Sequence, residues 1–123
     1  MSYKIDFQPQ LVSITLKDTL SLQDVEQSGK DVDEYVVPLP VAPPRLIDII
    51  DVTGIHVNFD GIFSYVSKRN VRTYNNNFKS AIVTGSAVQF GFARMFQTLA
   101  SGHPQITLQV FRDKPSAMLW LFE

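Results

Sequence analysis

Asp48 interrupts the apolar run Leu46-Ile47-Asp48-Ile49-Ile50, and Asp51 follows it directly. Two carboxylates near the end of a strand could serve as acid and base, because ligands of open α/β sheets gather outside the strand C-termini. An aspartate that accepts hydrogen bonds from backbone or hydroxyl groups in the next turn accounts for the pair without chemistry, and that is the expected role here. His56 and His103 lie far apart and the chain has no cysteine, so no zinc site and no thiol nucleophile is expected. His103 stands in the turn Gly102-His103-Pro104 and is expected to be an exposed loop residue. Ser86 is flanked by Thr84 and Val88 where a nucleophile elbow needs glycines, and Thr84-Gly85-Ser86 lacks the glycines and lysine of a phosphate loop. Its place between a strand and a helix favours an anion through free N–H groups, as in every α/β domain, and a plain N-cap explains it. No catalytic residue, metal ligand or cofactor is assigned.

The aromatic residues point to binding instead. On the helix that begins near Ser86, Val88, Phe92, Met95, Phe96 and Leu99 span about 100° of arc at 100° per residue and form the expected buried stripe. Phe90 points about 200° away from Val88 on the same wheel, with Arg94 one turn beyond it. The preceding helix carries Phe59, Ile62, Phe63 and Val66 on one stripe, and Phe59 and Phe63 are expected mostly to pack onto the sheet while their outer ends border a cleft. Phe59, Phe63, Ser86, Phe90 and Arg94 therefore form a candidate cleft for a ligand or partner, with Arg94 placed for an anionic head group and the rings for an apolar body. Phe90 itself is expected to be covered by another element, such as a partner subunit, with the cleft beside the basic face as the alternative.

These residues need a scaffold, and the periodicities supply one. Tyr3, Ile5 and Phe7 alternate with polar residues, and after Gln8-Pro9-Gln10 the run 11–16 follows, which reads as a hairpin. Ser21-Leu22-Gln23-Asp24 is a variant capping box opening a helix that Gly29 weakens. Pro38, Pro40, Pro43 and Pro44 then impose an extended connector. Three strand-then-helix units complete the chain: a strand over 46–50 with a helix capped by Asn58, a strand over 78–83 with a helix capped by Ser86 and Gln89, and a strand over 106–111 with a helix capped by Asp113 and carrying Pro115 in its first turn. The expected fold is one α/β domain over 1–123, with a mixed sheet of about five strands in the order β-β-α-β-α-β-α-β-α.

The 123 residues suit a single folding unit, and an apolar fraction of 45% with nine Phe provides ample core. The first six residues carry charge without an apolar stretch, and no run spans a bilayer, so a cytoplasmic protein without integral membrane association is expected. Net charge is −1, but between Asp18 and Glu34 six acids (Asp18, Asp24, Glu26, Asp31, Asp33, Glu34) face one base, Lys30. Between Gly61 and Arg112 stand Lys68, Arg69, Arg72, Lys79, Arg94 and Arg112 with no acid. This asymmetry fits solvated faces or a surface that steers a partner, including a second copy with its basic segment against the acidic one. The bases are too dispersed for a nucleic-acid surface.

The strings Arg45-Leu46-Ile47-Asp48-Ile49 with Asp51-Val52, Phe78 to Val83, Phe90 to Phe96, and Val110 to Asp113 with Ala117 to Leu121 resemble the SpoIIAA-like STAS domains. These are uncharacterised bacterial proteins similar to anti-sigma-factor antagonists and grouped structurally with CRAL-TRIO lipid-transfer domains. The resemblance implies a non-catalytic binding or regulatory module. Antagonists of this type carry a phospho-acceptor serine in an Asp-Ser-Ser-Gly string at the start of the helix after the central strand; here Ile55-His56-Val57-Asn58-Phe59 has no hydroxyl, so the phospho-switch is not expected. The resemblance to lipid-transfer domains makes carriage of a small apolar or anionic ligand the alternative, although the extra N-terminal helical region of those larger domains is absent. A homodimer and a protein partner are expected.

Overall fold

The computed structural model describes residues 3–123. Five strands and four helices follow in the expected order: β1 (Tyr3–Gln8), β2 (Leu11–Ser21), α1 (Leu22–Val36), β3 (Arg45–His56), α2 (Phe59–Arg69), β4 (Phe78–Val83), α3 (Ala87–Ala100), β5 (Ile106–Phe111) and α4 (Lys114–Leu121). The strands form one sheet in the order β1-β2-β3-β4-β5. β1 and β2 are the antiparallel hairpin, turning at Pro9-Gln10, and every later pairing is parallel.

Because each crossover steps in the same direction, right-handedness puts α1, α2 and α3 on one face of the sheet. Val12, Ile14 and Leu16 of β2, Ile49 of β3 and Ile82 of β4 are buried there with Val32, Val36 and Ala93. The opposite face is closed by α4, whose Ala117 and Leu121 pack on Leu46, Ala81 and Val83. Lys79 reaches from β4 to the Trp120 carbonyl at 2.9 Å, placing a cation at the C-terminus of α4, where the helix dipole favours it.

Every helix starts at the cap read from the sequence. Ser21, Asn58, Ser86 and Asp113 accept from the backbone N–H of Asp24, Gly61, Gln89 and Ser116 at 3.2, 2.8, 3.2 and 2.8 Å. Since β2 to β5 run parallel, all four caps lie at the same end of the domain, outside the strand C-termini. Gly29 does not break α1. It is buried, and a Cβ there would meet the Tyr65 hydroxyl at 2.0 Å, so its missing side chain is what lets α2 approach α1.

Three features depart from the sequence expectation: β2 runs on to Ser21, past the apolar run 11–16, and two others follow. β3 continues to His56: it pairs with β4 only over Arg45–Asp48 but stays on β2 to the end, through two register shifts that place extra residues in β3. The buried stripe of α3 is also rotated. Val88 is 73% exposed, whereas Gln89 and Ala93 are buried and Phe92 and Phe96 pack beside them. A polar residue sits inside because all its needs are met: Gln89 Oε1 accepts from Gly85 N and Ser86 N, and Nε2 donates to the carbonyls of Ile50 and Val52 at 3.0 and 2.8 Å. It ties the start of α3 to the bulged end of β3.

Candidate functional site

At the cap end, the sequence-derived residues fall into separate groups. Phe59 and Phe63 do not pack onto the sheet as expected: Ile62 and Val66 take the buried face of α2, and the two rings, each 54% exposed, stack on one another with centroids 6.1 Å apart. Ser86 serves as the N-cap of α3. Phe90 is half-buried, with the Arg112 guanidinium 4.0 Å from its ring centroid and that of Arg94 at 5.8 Å, an arrangement in which the π-face of the ring attracts both cations. Asp48 accepts from Ile50 N at 2.9 Å within β3 itself, not in a following turn, and Asp51 is exposed opposite Lys17 of β2. Ile50 is exposed and lies against Gly85, so the cap end carries apolar side chains from β3, α2 and α3.

At the other end, near the strand N-termini, sits a buried charge cluster that sequence reasoning missed. Asp33, on the buried side of α1, is 3% exposed. It accepts from the Tyr74 hydroxyl at 2.8 Å and forms a close ion pair with Arg72. Arg69 reaches Tyr65 and Tyr74 hydroxyls at 3.3 and 3.1 Å and stands 3.9 Å from Asp33. Arg45, at the start of β3, is 2% exposed; its Nη2 lies 3.5 Å from Asp33, and neither Nε nor Nη2 has a hydrogen-bond partner. The guanidinium packs over the rings of Phe78 and Tyr74 at 4.8 and 5.7 Å. One carboxylate thus faces three guanidiniums. Burial, and next the Arg69 charge, pull the Arg45 pKa below its ordinary value. Burial acts the same way on Arg69, but Tyr65, Asp33 and Tyr74 outweigh it and the net shift is upward.

His103 belongs to this cluster and is not the exposed loop residue expected of it. It is 6% exposed; Nδ1 accepts from Gln105 N at 3.1 Å, which leaves Nε2 to donate to the Arg72 carbonyl at 2.8 Å. Burial lowers its pKa, and Arg69 and Arg45 add to the effect, so the ring is neutral. Arg69 and Arg72, read from the sequence as a basic face, are turned toward Asp33 of their own chain, so the charge asymmetry is partly closed internally.

Between α2 and the sheet lie two adjoining cavities of about 60 and 50 Å³. Arg45, Ile47, Arg69 and Phe96 line both, and the first is otherwise walled mainly by aliphatic side chains of β2, β3 and β4. α2 makes its main contacts with α1 and α3, so it roofs these spaces. Among the described residues no cluster of His, Cys, Asp and Glu suits a metal ion, and no helix is long and apolar enough to cross a membrane.

A five-stranded mixed sheet with this helix order is the SpoIIAA-like fold. The chain aligns with an uncharacterised protein of the DUF3478 family with a SpoIIAA-like fold from Shewanella loihica PV-4, with a TM-score of 0.58 and 18% identity over 97% of this chain and 91% of that one. It aligns equally with an anti-sigma factor antagonist from Mycobacterium paratuberculosis, with a TM-score of 0.62 and 10% identity over 98% of this chain and 93% of that one. At these identities the likeness carries the fold alone. No family model and no curated protein matches the chain.

Proposed function

We propose that this chain is a non-catalytic regulatory module of the SpoIIAA-like type that binds a protein partner at its cap end, without a phosphorylation switch at the start of α2. The observation that carries the reading is the exposed, stacked pair Phe59 and Phe63. Large aromatic surface left in water is unfavourable by roughly 25 cal/mol per Å², and aromatic residues dominate the energetics of protein interfaces. Ile50 and Val88 extend the apolar character of this end. The fold shared with an anti-sigma factor antagonist supports a regulatory role.

The missing switch has a local chemical basis. Where the resemblance places an acceptor serine, the helix is capped by Asn58, whose amide oxygen takes the Gly61 N–H but cannot be phosphorylated. Co-expression with a kinase of the anti-sigma type followed by mass spectrometry tests this. No phosphate is expected between Ile55 and Phe59; stoichiometric phosphate on Thr53, exposed in β3, would contradict the reading by revealing a displaced acceptor. We infer also that two copies associate through apolar contacts, because Asp33, Arg69 and Arg72, the groups best suited to an ionic contact between chains, pair within one.

A further inference from the structure

We propose that the outer edge of β1, together with the acidic side of α1, is a docking surface for an extended basic segment of a partner protein, which adds to the sheet as a further strand. The inference does not depend on the partner surface at the cap end. β1 is an edge strand, joined only to β2, and its six residues pair in continuous register from Tyr3 to Gln8 without a bulge or a proline. In such a ladder every second residue directs its N–H and C=O away from the neighbouring strand. Among the described residues no other backbone group bonds to them. Edges are commonly blunted by bulges, prolines or a covering element, because regularly spaced free groups are a template for another strand. The opposite edge, β5, is partly closed: Gln97 of α3 donates to the Leu108 carbonyl at 2.9 Å.

A groove runs along the β1 edge. Tyr3, Ile5 and Phe7 on one face of β1 and Asp31, Glu34 and Tyr35 on α1 line an open space of about 520 Å³. Contacts between the two elements fix its wall: the Phe7 and Tyr35 ring centroids lie 4.4 Å apart, and the Tyr3 hydroxyl donates to Asp31 at 2.7 Å. A strand added about 4.8 Å beyond β1 would run beneath this side of α1, with alternate side chains directed at it. By the same alternation Lys4 and Asp6 belong to the other face of the sheet.

Charge selects the occupant. Asp31 also accepts from Gln27 Nε2 at 2.9 Å, and the hydrogen bonds from Tyr3 and then Gln27 hold its carboxyl below the ordinary range, so it is ionised. Glu34, one turn on, is exposed. Every ion pair among the described residues goes to Asp33, so neither acid has a basic partner, and Lys30 beside Asp31 forms no ion pair. Rings beside carboxylates suit a guanidinium or an ammonium, which both attract. Alternate arginines or lysines on the added strand would meet Asp31 and Glu34, while its main chain bonds to β1. A second copy fits this edge less well, because two β1 strands paired about a two-fold axis would bring the acids of both chains to one groove.

Titration of the isotopically labelled full chain with a blocked heptapeptide of alternating arginine and valine, read by amide shifts and hydrogen exchange, tests the proposal. The peptide should bind and slow exchange of the outward-facing β1 amides. With its central valine replaced by proline it keeps its charge but loses a donor, and it should bind roughly tenfold more weakly. A peptide of alternating glutamate and valine should not bind. Asp31→Asn with Glu34→Gln should weaken binding of the arginine peptide roughly threefold to tenfold. Should that variant fail to fold, the three peptides decide on the wild type. No binding of the arginine peptide, equal binding of its proline or glutamate counterpart, binding unaffected by the double substitution, or protection confined to amides outside β1 would each overturn the proposal. So would protection of β1 amides that rises with protein concentration in the absence of peptide, since a second copy would then occupy the edge.

Discussion

Replacing Asp33 with Asn removes one negative charge and turns the oxygen that accepts from Arg72 into a donor. The amide retains an oxygen for the Tyr74 hydroxyl, so the change reports the electrostatic role of a carboxylate that is 3% exposed and faces Arg45, Arg69 and Arg72. Removing one partner of a buried ion pair costs about 3–5 kcal/mol, because the opposite charges remain desolvated and uncompensated. Unfolding entropies near 2.1 cal/mol/K per residue give about 0.26 kcal/mol/K for 123 residues, so the loss corresponds to a Tm decrease of about 12–19 °C. Differential scanning calorimetry reads this directly. Adding Arg45→Met to Asp33→Asn should recover part of the loss, since one of the uncompensated cations is then gone. A decrease under about 4 °C, which corresponds to the ~1 kcal/mol of a solvent-screened surface pair, would refute the argument that Asp33 compensates buried charge.

Phe90→Ala should cost about 1–2 kcal/mol in urea unfolding, because the ring is half-buried beneath Arg112 and Arg94; the ~3–5 kcal/mol of a core phenylalanine would place it in the interior. His103 has a folded pKa below its ordinary 6.5, so below that pH the unfolded chain binds the proton more readily and stability falls. Its contribution should be complete above about pH 6.5 and decline as pH drops toward the folded value. Urea titrations at pH 7.5 and 5.5 should therefore show a drop that His103→Gln reduces, and equal drops in both proteins would contradict the assignment. Sedimentation at 0.1 and 1 M salt, where the Debye length falls from ~10 to ~3 Å, should give the same dimer, because its contacts are apolar; dissociation at high salt would point to ionic contacts, and a monomer at both would remove self-association.

Local signals were legible in the sequence and long-range pairings were not. All four caps, the hairpin turn, and the limits of β4 and β5 follow from residues within a few positions of one another. β3 runs past its apolar stretch: Asp51, Thr53 and Gly54 break up the apolar run after Ile50, and what holds this segment in a strand is the ladder to β2. Periodicity counts Gln89 as polar and so assigns Val88 to the core, whereas Gln89 is buried by satisfying carbonyls of β3. The charge cluster joins residues 12 to 39 positions apart, which no local pattern encodes. One signal was available: Asp33 lies on the stripe of Gly29, Val32 and Val36, and an acid on the buried face of a helix demands a cationic partner. The aromatic residues of the cap end were recognised singly, and the structure pairs Phe59 with Phe63 and Phe90 with two arginines.

The cap end is the proposed protein-binding surface. A photo-crosslinking amino acid placed at position 63, expressed in the native host and compared with the same group at Leu119, which is 76% exposed on α4, examines that surface in place. A discrete protein adduct is expected at position 63, absent at 119 and lost when Phe59→Ser is added. Identical adduct patterns at the two positions, or none at 63, would contradict it.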